Sequence, residues 1–115
     1  MVDMHIDHKV LRDLREVMEG GYLQLLETFL EDSEQRLSQL HKAKDAVELG
    51  LAAHSFKGSS SNMGAVELAR LCQQLEERAR QVPLYGIEDL INRIDQEYQA
   101  VELFYRSESQ RISTD

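Results

Sequence analysis

Proline and cysteine are nearly absent from this sequence of 115 residues, which contains one of each, Pro83 and Cys72. β-Branched residues form few runs, apolar and polar residues do not alternate, and no hairpin dipeptide separates two apolar segments. A single cysteine excludes an internal disulfide and is typical of a reducing compartment. The sequence therefore predicts an all-α protein without a disulfide, in which Cys72 belongs to the core.

Long apolar runs and an excess of positive charge are also missing. No apolar segment approaches the roughly 20 residues that span a bilayer, and the first nine residues lack the apolar core of a signal peptide. The formal net charge is −8, whereas binding to the phosphate backbone of nucleic acid depends on basic residues. We expect a cytoplasmic protein that binds neither membranes nor nucleic acid.

Amphipathic spacing predicts five helices along the chain. A short helix starts after Asp7 and stops at Gly20-Gly21, and the second, fourth and fifth helices cover about 22–44, 65–81 and 87–106. The third helix has Asp45 as its N-cap and ends between Asn62 and Gly64. The residues expected to face the core outside the third helix are Val10, Leu11, Leu14, Val17, Leu23, Leu26, Phe29, Leu30, Leu37, Leu40, Leu68, Leu71, Cys72, Leu75, Ala79, Leu90, Ile91, Ile94, Tyr98, Val101 and Tyr105.

Four long amphipathic segments with short connections favour an antiparallel up-down-up-down four-helix bundle, with the short N-terminal helix as a lid. We expect one domain over 1–115, with a core at about 7–106 and flexible termini at 1–6 and 107–115. His5 and His8, near Asp3 and Asp7, have metal-ligand chemistry. A frayed, solvated terminus is the simpler interpretation, and we expect no metal site there.

The segment around residue 54 carries the strongest functional signal. Its apolar stripe is formed by Leu49, Ala52, Ala53, Phe56, Ser60 and Met63. His54, Lys57, Gly58 and Ser61 recur at i, i+3, i+4 and i+7 on another face. A neutral imidazole is a nucleophile near pH 7, and an ammonium one turn away can balance phosphoryl oxygens. Gly58 lies off the apolar stripe and costs about 0.5–1 kcal/mol relative to alanine, which indicates that another molecule approaches closely there.

These residues resemble the signature of the histidine phosphotransfer (Hpt) domains of multistep phosphorelays. The resemblance rests on His54-x-x-Lys57-Gly58-Ser59-Ser60 followed by Met63-Gly64-Ala65, and it continues through Leu68, Cys72 and Leu75-Glu76 and upstream through 22–40. It implies the same four-helix architecture. It also implies that His54 accepts a phosphoryl group from a receiver-domain aspartate of a hybrid sensor kinase and passes it to the aspartate of a response regulator.

The resemblance also implies roles for the neighbours of His54. Lys57 would attract the phosphoryl oxygens, and Gly58 would admit the active-site loops of the receiver. The receiver would carry Mg²⁺, so this chain would need no cofactor and no metal of its own. The protein would be a monomeric phosphoryl carrier without an ATP-dependent kinase domain, not an enzyme.

Two further sets of residues are candidates around the ring. If the third and fourth helices form a hairpin near residues 62–64, Gln73 and Glu76 are the polar residues able to orient His54. In the Hpt pattern the Glu76 position often bonds to the ring, frequently as glutamine, so a glutamate here leaves its role open. Val47, Gly50, Leu51 and Ser61 would form a docking surface for the partner. The alternative is that the first helix covers and buries Val47.

Three alternative functions place different requirements on the sequence. A histidine-kinase dimerisation helix has similar chemistry but would need an ATP-binding domain with glycine-rich boxes. A ferritin-like metal bundle would need Glu-x-x-His pairs, which are absent from the sequence. A phosphate-independent adaptor that binds receiver or kinase domains remains the alternative function.

Overall fold

The computed structural model describes residues 4–81 and 83–114 of the chain. Its α-helices are α1 (His8–Met18), α2 (Tyr22–Lys42), α3 (Ala46–Asn62), α4 (Val66–Arg78) and α5 (Ile87–Thr114), and a 3-10 helix, Glu19–Gly21, joins α1 to α2. The prediction of an all-α protein is confirmed. In the part of the chain described, no helix combines the length and apolar character that crossing a membrane requires.

Helices α2 to α5 surround one core. Helix α3 packs against α2 and α4, and α5 packs against the same two helices. Gly50 meets Ala79 while His54 meets Glu76, so α3 and α4 run antiparallel. The large side chains that are almost fully buried at the centre are Tyr22, Leu26, Leu40, Phe56, Leu68, Leu75, Ile94, Val101 and Tyr105.

Most predicted core positions are buried, including Cys72, whose thiol pKa burial raises to about 12. This thiol is therefore unreactive at neutral pH. Two of the leucines predicted for the core side of α2, Leu23 and Leu37, are only half-buried, and Tyr22 is buried at the N-terminal end of that helix. Helices α2 and α4 end two and three residues earlier than predicted, at Lys42 and Arg78.

Helix α1 packs against α2 and the 3-10 helix through a narrow apolar stripe. Leu11 is buried and Leu14 is half-buried, whereas Val17 is 79% exposed. The prediction that Val17 faces the core is wrong. Leu11 and Leu14 pack this short outer helix against the bundle, and Val17 lies outside that contact. Val47 is 71% exposed, so the alternative in which α1 buries it is also wrong.

The segment before α1 is docked onto the turn between α3 and α4. The Asp7 N–H donates to the Gly64 carbonyl at 2.8 Å, the Val66 N–H donates to the His5 carbonyl at 3.1 Å, and Ile6 is buried. The prediction of a frayed terminus is therefore wrong for His5 and Ile6, because the turn offers them backbone partners. Residues 1–3, including the predicted candidate Asp3, lie outside the described residues.

The two N-terminal histidines contact different neighbours. His5 Nδ1 lies 2.7 Å from Glu97 Oε2, and His8 packs edge-on against Phe104 with ring centroids 5.5 Å apart. Within residues 4–81 and 83–114, no three His, Cys, Asp or Glu side chains come together as a metal site requires.

Helix α5 extends seven residues beyond Ser107, so the described part of the terminus that was predicted to be flexible is helical. The Tyr22 hydroxyl donates to Glu108 Oε2 at 3.4 Å, and Arg111 Nη2 donates to Glu108 Oε1 at 2.7 Å. Ile112 packs against the core. The polar composition of this segment indicated a flexible terminus, but its contacts with α2 and the packing of Ile112 keep it helical.

Candidate functional site around His54

The ends of α3 fix the register of the functional face. The Asp45 side chain accepts a hydrogen bond from the Glu48 N–H at 2.8 Å, which confirms the predicted N-cap. At the other end the helix stops at Asn62, and Gly64 follows with φ of +77°. An added Cβ at Gly64 would lie 2.9 Å from the Asp7 carbonyl oxygen. Glycine is therefore required there by both its backbone conformation and its neighbour.

Helix α3 separates a buried face from a reactive face. Leu49, Ala53, Phe56 and Ser60 are buried in the core, and Met63 is buried just beyond the helix. The His54 side chain is 65% exposed, and the Lys57 side chain is 28% exposed. The imidazole is thus held by a packed helix while its ring remains open to a partner.

Helix α4 supplies the residue that contacts the ring. His54 Nδ1 lies 2.8 Å from Glu76 Oε2, and Glu76 is buried. The other ring-orienting candidate, Gln73, is exposed, and its amide donates to Glu77 Oε1 at 3.2 Å. The structure therefore brings Glu76 to the histidine, whereas the Gln73 amide bonds along α4 to Glu77.

Two cations share the Glu76 carboxylate with the ring. Lys57 Nζ donates to Glu76 Oε1 at 3.1 Å, and Arg80 Nη2 donates to Glu76 Oε2 at 3.1 Å. Sequence reasoning missed Arg80. The signal that could have found it is the i, i+4 spacing of Glu76 and Arg80, which places a carboxylate and a guanidinium on one face of a helix.

The protonation of Glu76 decides which ring nitrogen is nucleophilic. Burial raises the pKa of this carboxyl, but hydrogen bonds from Lys57 and His54 outweigh burial and lower the pKa below its ordinary value. Glu76 is therefore ionised at neutral pH and can only accept a hydrogen bond. The proton must then reside on Nδ1 of neutral His54, which leaves the lone pair on Nε2.

The predicted docking residues flank the ring on the exposed side of α3. Val47, Gly50 and Leu51 line a shallow groove with Ala46, His54, Glu76, Ala79 and Arg80. Val47 and Leu51 are exposed, and Ser61 is exposed on the turn that follows Gly58. The groove places aliphatic side chains beside a nucleophile, which suits a partner that covers both at once.

Gly58 borders open space. A Cβ added at this position would meet no heavy atom within 4 Å. The packing of the chain itself therefore does not require glycine at residue 58, which is exposed in the last turns of α3. The clearance beside His54 and Lys57 is available to another molecule.

Comparisons with known proteins agree with this geometry. The family model described as Hpt domain matches residues 24–103. The chain is 48% identical to histidine-containing phosphotransfer protein B (HptB) from Pseudomonas aeruginosa PAO1. The crystal structure of that protein gives a TM-score of 0.91, with 96% of this chain and 98% of the other covered.

A plant protein is a more distant relative. Over 85 residues the chain is 28% identical to histidine-containing phosphotransfer protein 2 of Arabidopsis thaliana. The match covers 69% of this chain and 54% of the plant protein, so the chain spans about half the length of that relative.

Proposed function

This chain belongs to the Hpt domain family, and we propose that it carries a phosphoryl group on His54 between two receiver domains. Proteins of this family are phosphoryl carriers that work with receiver domains and response regulators in phosphorelays. In our proposal the donor is the phosphorylated aspartate of a hybrid sensor kinase, and the acceptor is the aspartate of a response regulator. The observation that carries the proposal is an exposed imidazole whose Nδ1 is held by an ionised, buried carboxylate.

The proposed transfer is a displacement at phosphorus. The Nε2 lone pair of His54 forms an N–P bond while the bond between phosphorus and the aspartyl oxygen breaks, and that electron pair returns to the donor aspartate. The ring gains positive charge as it attacks. Glu76 lies against Nδ1–H and stabilises this charge, and the same contact lets the ring leave as a neutral imidazole in the second transfer.

Lys57 is proposed to balance the charge of the transferred group. Its ammonium contacts Glu76 Oε1 at 3.1 Å, on the helix turn that follows His54. The flexible lysine stem allows Nζ to turn from this oxygen to a phosphoryl oxygen on Nε2. A single ammonium attracts that group without holding it bidentately, which suits a group that must leave again.

The partner is proposed to dock on the face of α3 that carries His54. Val47, Gly50, Leu51 and Ser61 would contact the receiver, and the open space at Gly58 would admit its active-site loops. We propose that Mg²⁺ enters with the receiver and that this chain uses no cofactor. We also propose a monomeric cytoplasmic protein without kinase activity of its own, for which the free, buried thiol of Cys72 is suitable.

The first test compares His54→Gln with His41→Gln. His41 is exposed and contacts Asp95 from α2, so its variant removes an accessible histidine away from α3. Purified receiver domains carrying radioactive aspartyl phosphate are mixed with each protein, and acid-labile, alkali-stable label is counted. We expect label on the wild type and on His41→Gln but none on His54→Gln, with equal helical circular dichroism.

Two outcomes would contradict the carrier function. Label that persists on His54→Gln would show that another residue accepts the phosphoryl group. A wild-type chain that binds receivers tightly without taking label from any of them would support the adaptor function instead.

A further inference from the structure

We infer that Arg80 is a positioning residue, which keeps the Glu76 carboxylate on the His54 ring while Lys57 turns to the phosphoryl group. The inference rests on the proposed function and concerns the same histidine. Arg80 acts on the reaction through Glu76 and does not itself contact the phosphoryl group.

The two oxygens of Glu76 have different partners. Among the described residues, Oε1 accepts from Lys57, whereas Oε2 accepts from both His54 Nδ1 and Arg80 Nη2. When Lys57 moves to the phosphoryl group it leaves Oε1, whereas the ring is held by Oε2. Arg80 remains on that second oxygen and fixes its position relative to Nδ1.

Charge makes this second cation necessary. A phosphoryl group on Nε2 brings two negative charges to the side of the ring opposite an ionised carboxylate, and like charges at this range repel. Lys57 can neutralise either the phosphoryl group or the Glu76 carboxylate, but not both at once. With Arg80 on Oε2, Glu76 keeps a counter-ion throughout the transfer, whereas a neutral glutamine would need none.

The position of Arg80 suits an effect on transfer rather than on folding. Helix α4 ends at Arg78, and the Arg80 N–H donates to the Glu77 carbonyl at 3.2 Å, so Arg80 lies in the turn just after the helix. Its side chain is 72% exposed and forms the rim of the groove that contains Val47 and Leu51. An exposed ion pair contributes little to folding, so removing Arg80 should affect transfer rather than stability.

The test uses phosphoramidate as a small phosphoryl donor, because it separates ring chemistry from receiver docking. Its P–N bond breaks and ammonia leaves as the N–P bond to His54 Nε2 forms. Arg80→Ala should slow phosphorylation about fivefold, the factor expected from losing one exposed ion pair. Arg80→Lys should restore most of the rate.

Arg78→Ala is the matched control. It removes the same charge two residues earlier, at the end of α4, but Arg78 Nη1 donates to the Tyr85 carbonyl and not to Glu76. We expect Arg78→Ala to phosphorylate at the wild-type rate. In a Glu76→Gln background, Arg80→Ala should cause no further slowing, because glutamine needs no counter-ion.

A spectroscopic measurement separates positioning from a structural effect. The ¹⁵N shifts of the His54 ring should show a smaller fraction of the Nδ1–H tautomer in Arg80→Ala than in Arg78→Ala, with equal melting temperatures. Equal rates for the two arginine variants would overturn the inference. The inference would also fail if Arg80→Ala still slowed phosphorylation in the Glu76→Gln background. If His54→Gln is still phosphorylated, the proposed function fails instead.

Discussion

Glu76 is the residue on which the chemistry of the site depends. A single buried carboxylate accepts hydrogen bonds from a histidine, a lysine and an arginine. These contacts compensate the burial of its charge, and they fix the tautomer of His54. A carboxylate holds Nδ1–H more strongly than a neutral amide would, because its hydrogen bonds are charge-assisted.

The lowered pKa of Glu76 predicts an acid-dependent loss of stability. A carboxyl whose pKa is lower in the folded protein stabilises the fold above its ordinary pKa, and this contribution disappears as the pH falls through the lowered pKa. Glu76→Gln should therefore lower the free energy of unfolding by about 1–2 kcal/mol at pH 7. Urea denaturation should show the difference shrinking at pH 3. The control, Glu77→Gln on the exposed side of α4, should change little at pH 7, and equal losses in both variants would contradict the prediction.

Gly58 allows clearance to be separated from helix propensity. Because a Cβ at this position meets open space, both Gly58→Ala and Gly58→Gln should raise the free energy of unfolding, by about 0.5–1 kcal/mol for alanine. Receiver affinity, measured by titration calorimetry, should stay near wild type for alanine and fall at least about tenfold for glutamine, whose side chain would occupy the docking space. Normal receiver binding by Gly58→Gln would show that no partner approaches this position.

At the scale of residues, the sequence could place the candidate residues together, but it could not place their electrostatic partners. His54, Lys57 and Gly58 share one face of one helix, so sequence spacing alone places them together. Glu76 was one of two candidates, because the register of α4 against α3 depends on side-chain packing. Arg80 was not among the candidates, although its i, i+4 spacing from Glu76 could have indicated the ion pair.

At the level of elements, the turn between α3 and α4 controls how the reactive helix is held. Gly64 adopts positive φ, and the N-terminal segment packs against it through Asp7. Any other residue would meet both backbone strain and a steric clash there. The position of His54 relative to Glu76 depends on this turn, since α3 and α4 contribute one residue each.

Gly64→Ala should therefore destabilise the protein by about 1–3 kcal/mol, the usual cost of a strained backbone position. Gly20→Ala is the matched control, because a Cβ there meets no atom within 4 Å and its φ is not positive. Urea denaturation of both variants measures the difference. Similar midpoints for the two would mean that the α3–α4 turn tolerates a side chain.

Helix positions were predicted well where local signals exist. The N-cap Asp45 and the terminating Gly64 fixed the bounds of α3, because caps act over one turn. The start of α5 at Ile87 was predicted, but its C-terminal end and the docked segment before α1 were not. Both depend on contacts with residues distant in sequence, Tyr22 with Glu108 and His5 with Glu97, and amphipathic spacing carries no information about such pairs.

For the whole molecule, the fold leaves the face of α3 that carries His54 exposed, while the opposite face packs into the core. The bundle needs no partner to bury Phe56 or Leu75, which are fully buried within the chain. Val47 and Leu51 remain exposed beside His54, in a chain with a net charge of −8. The family signature predicts that this exposed face is a docking surface, which stays a prediction, and the sequence does not identify the partners.

The position of the phosphorus atom after phosphorylation tests the account most directly. The wild-type protein is phosphorylated with phosphoramidate, and ³¹P and ¹H–¹⁵N NMR spectra identify the modified nitrogen. Because Glu76 holds Nδ1–H, we predict one phosphoryl group on Nε2 of residue 54. A phosphoryl group on Nδ1 of that ring, or on any other residue, would contradict the account.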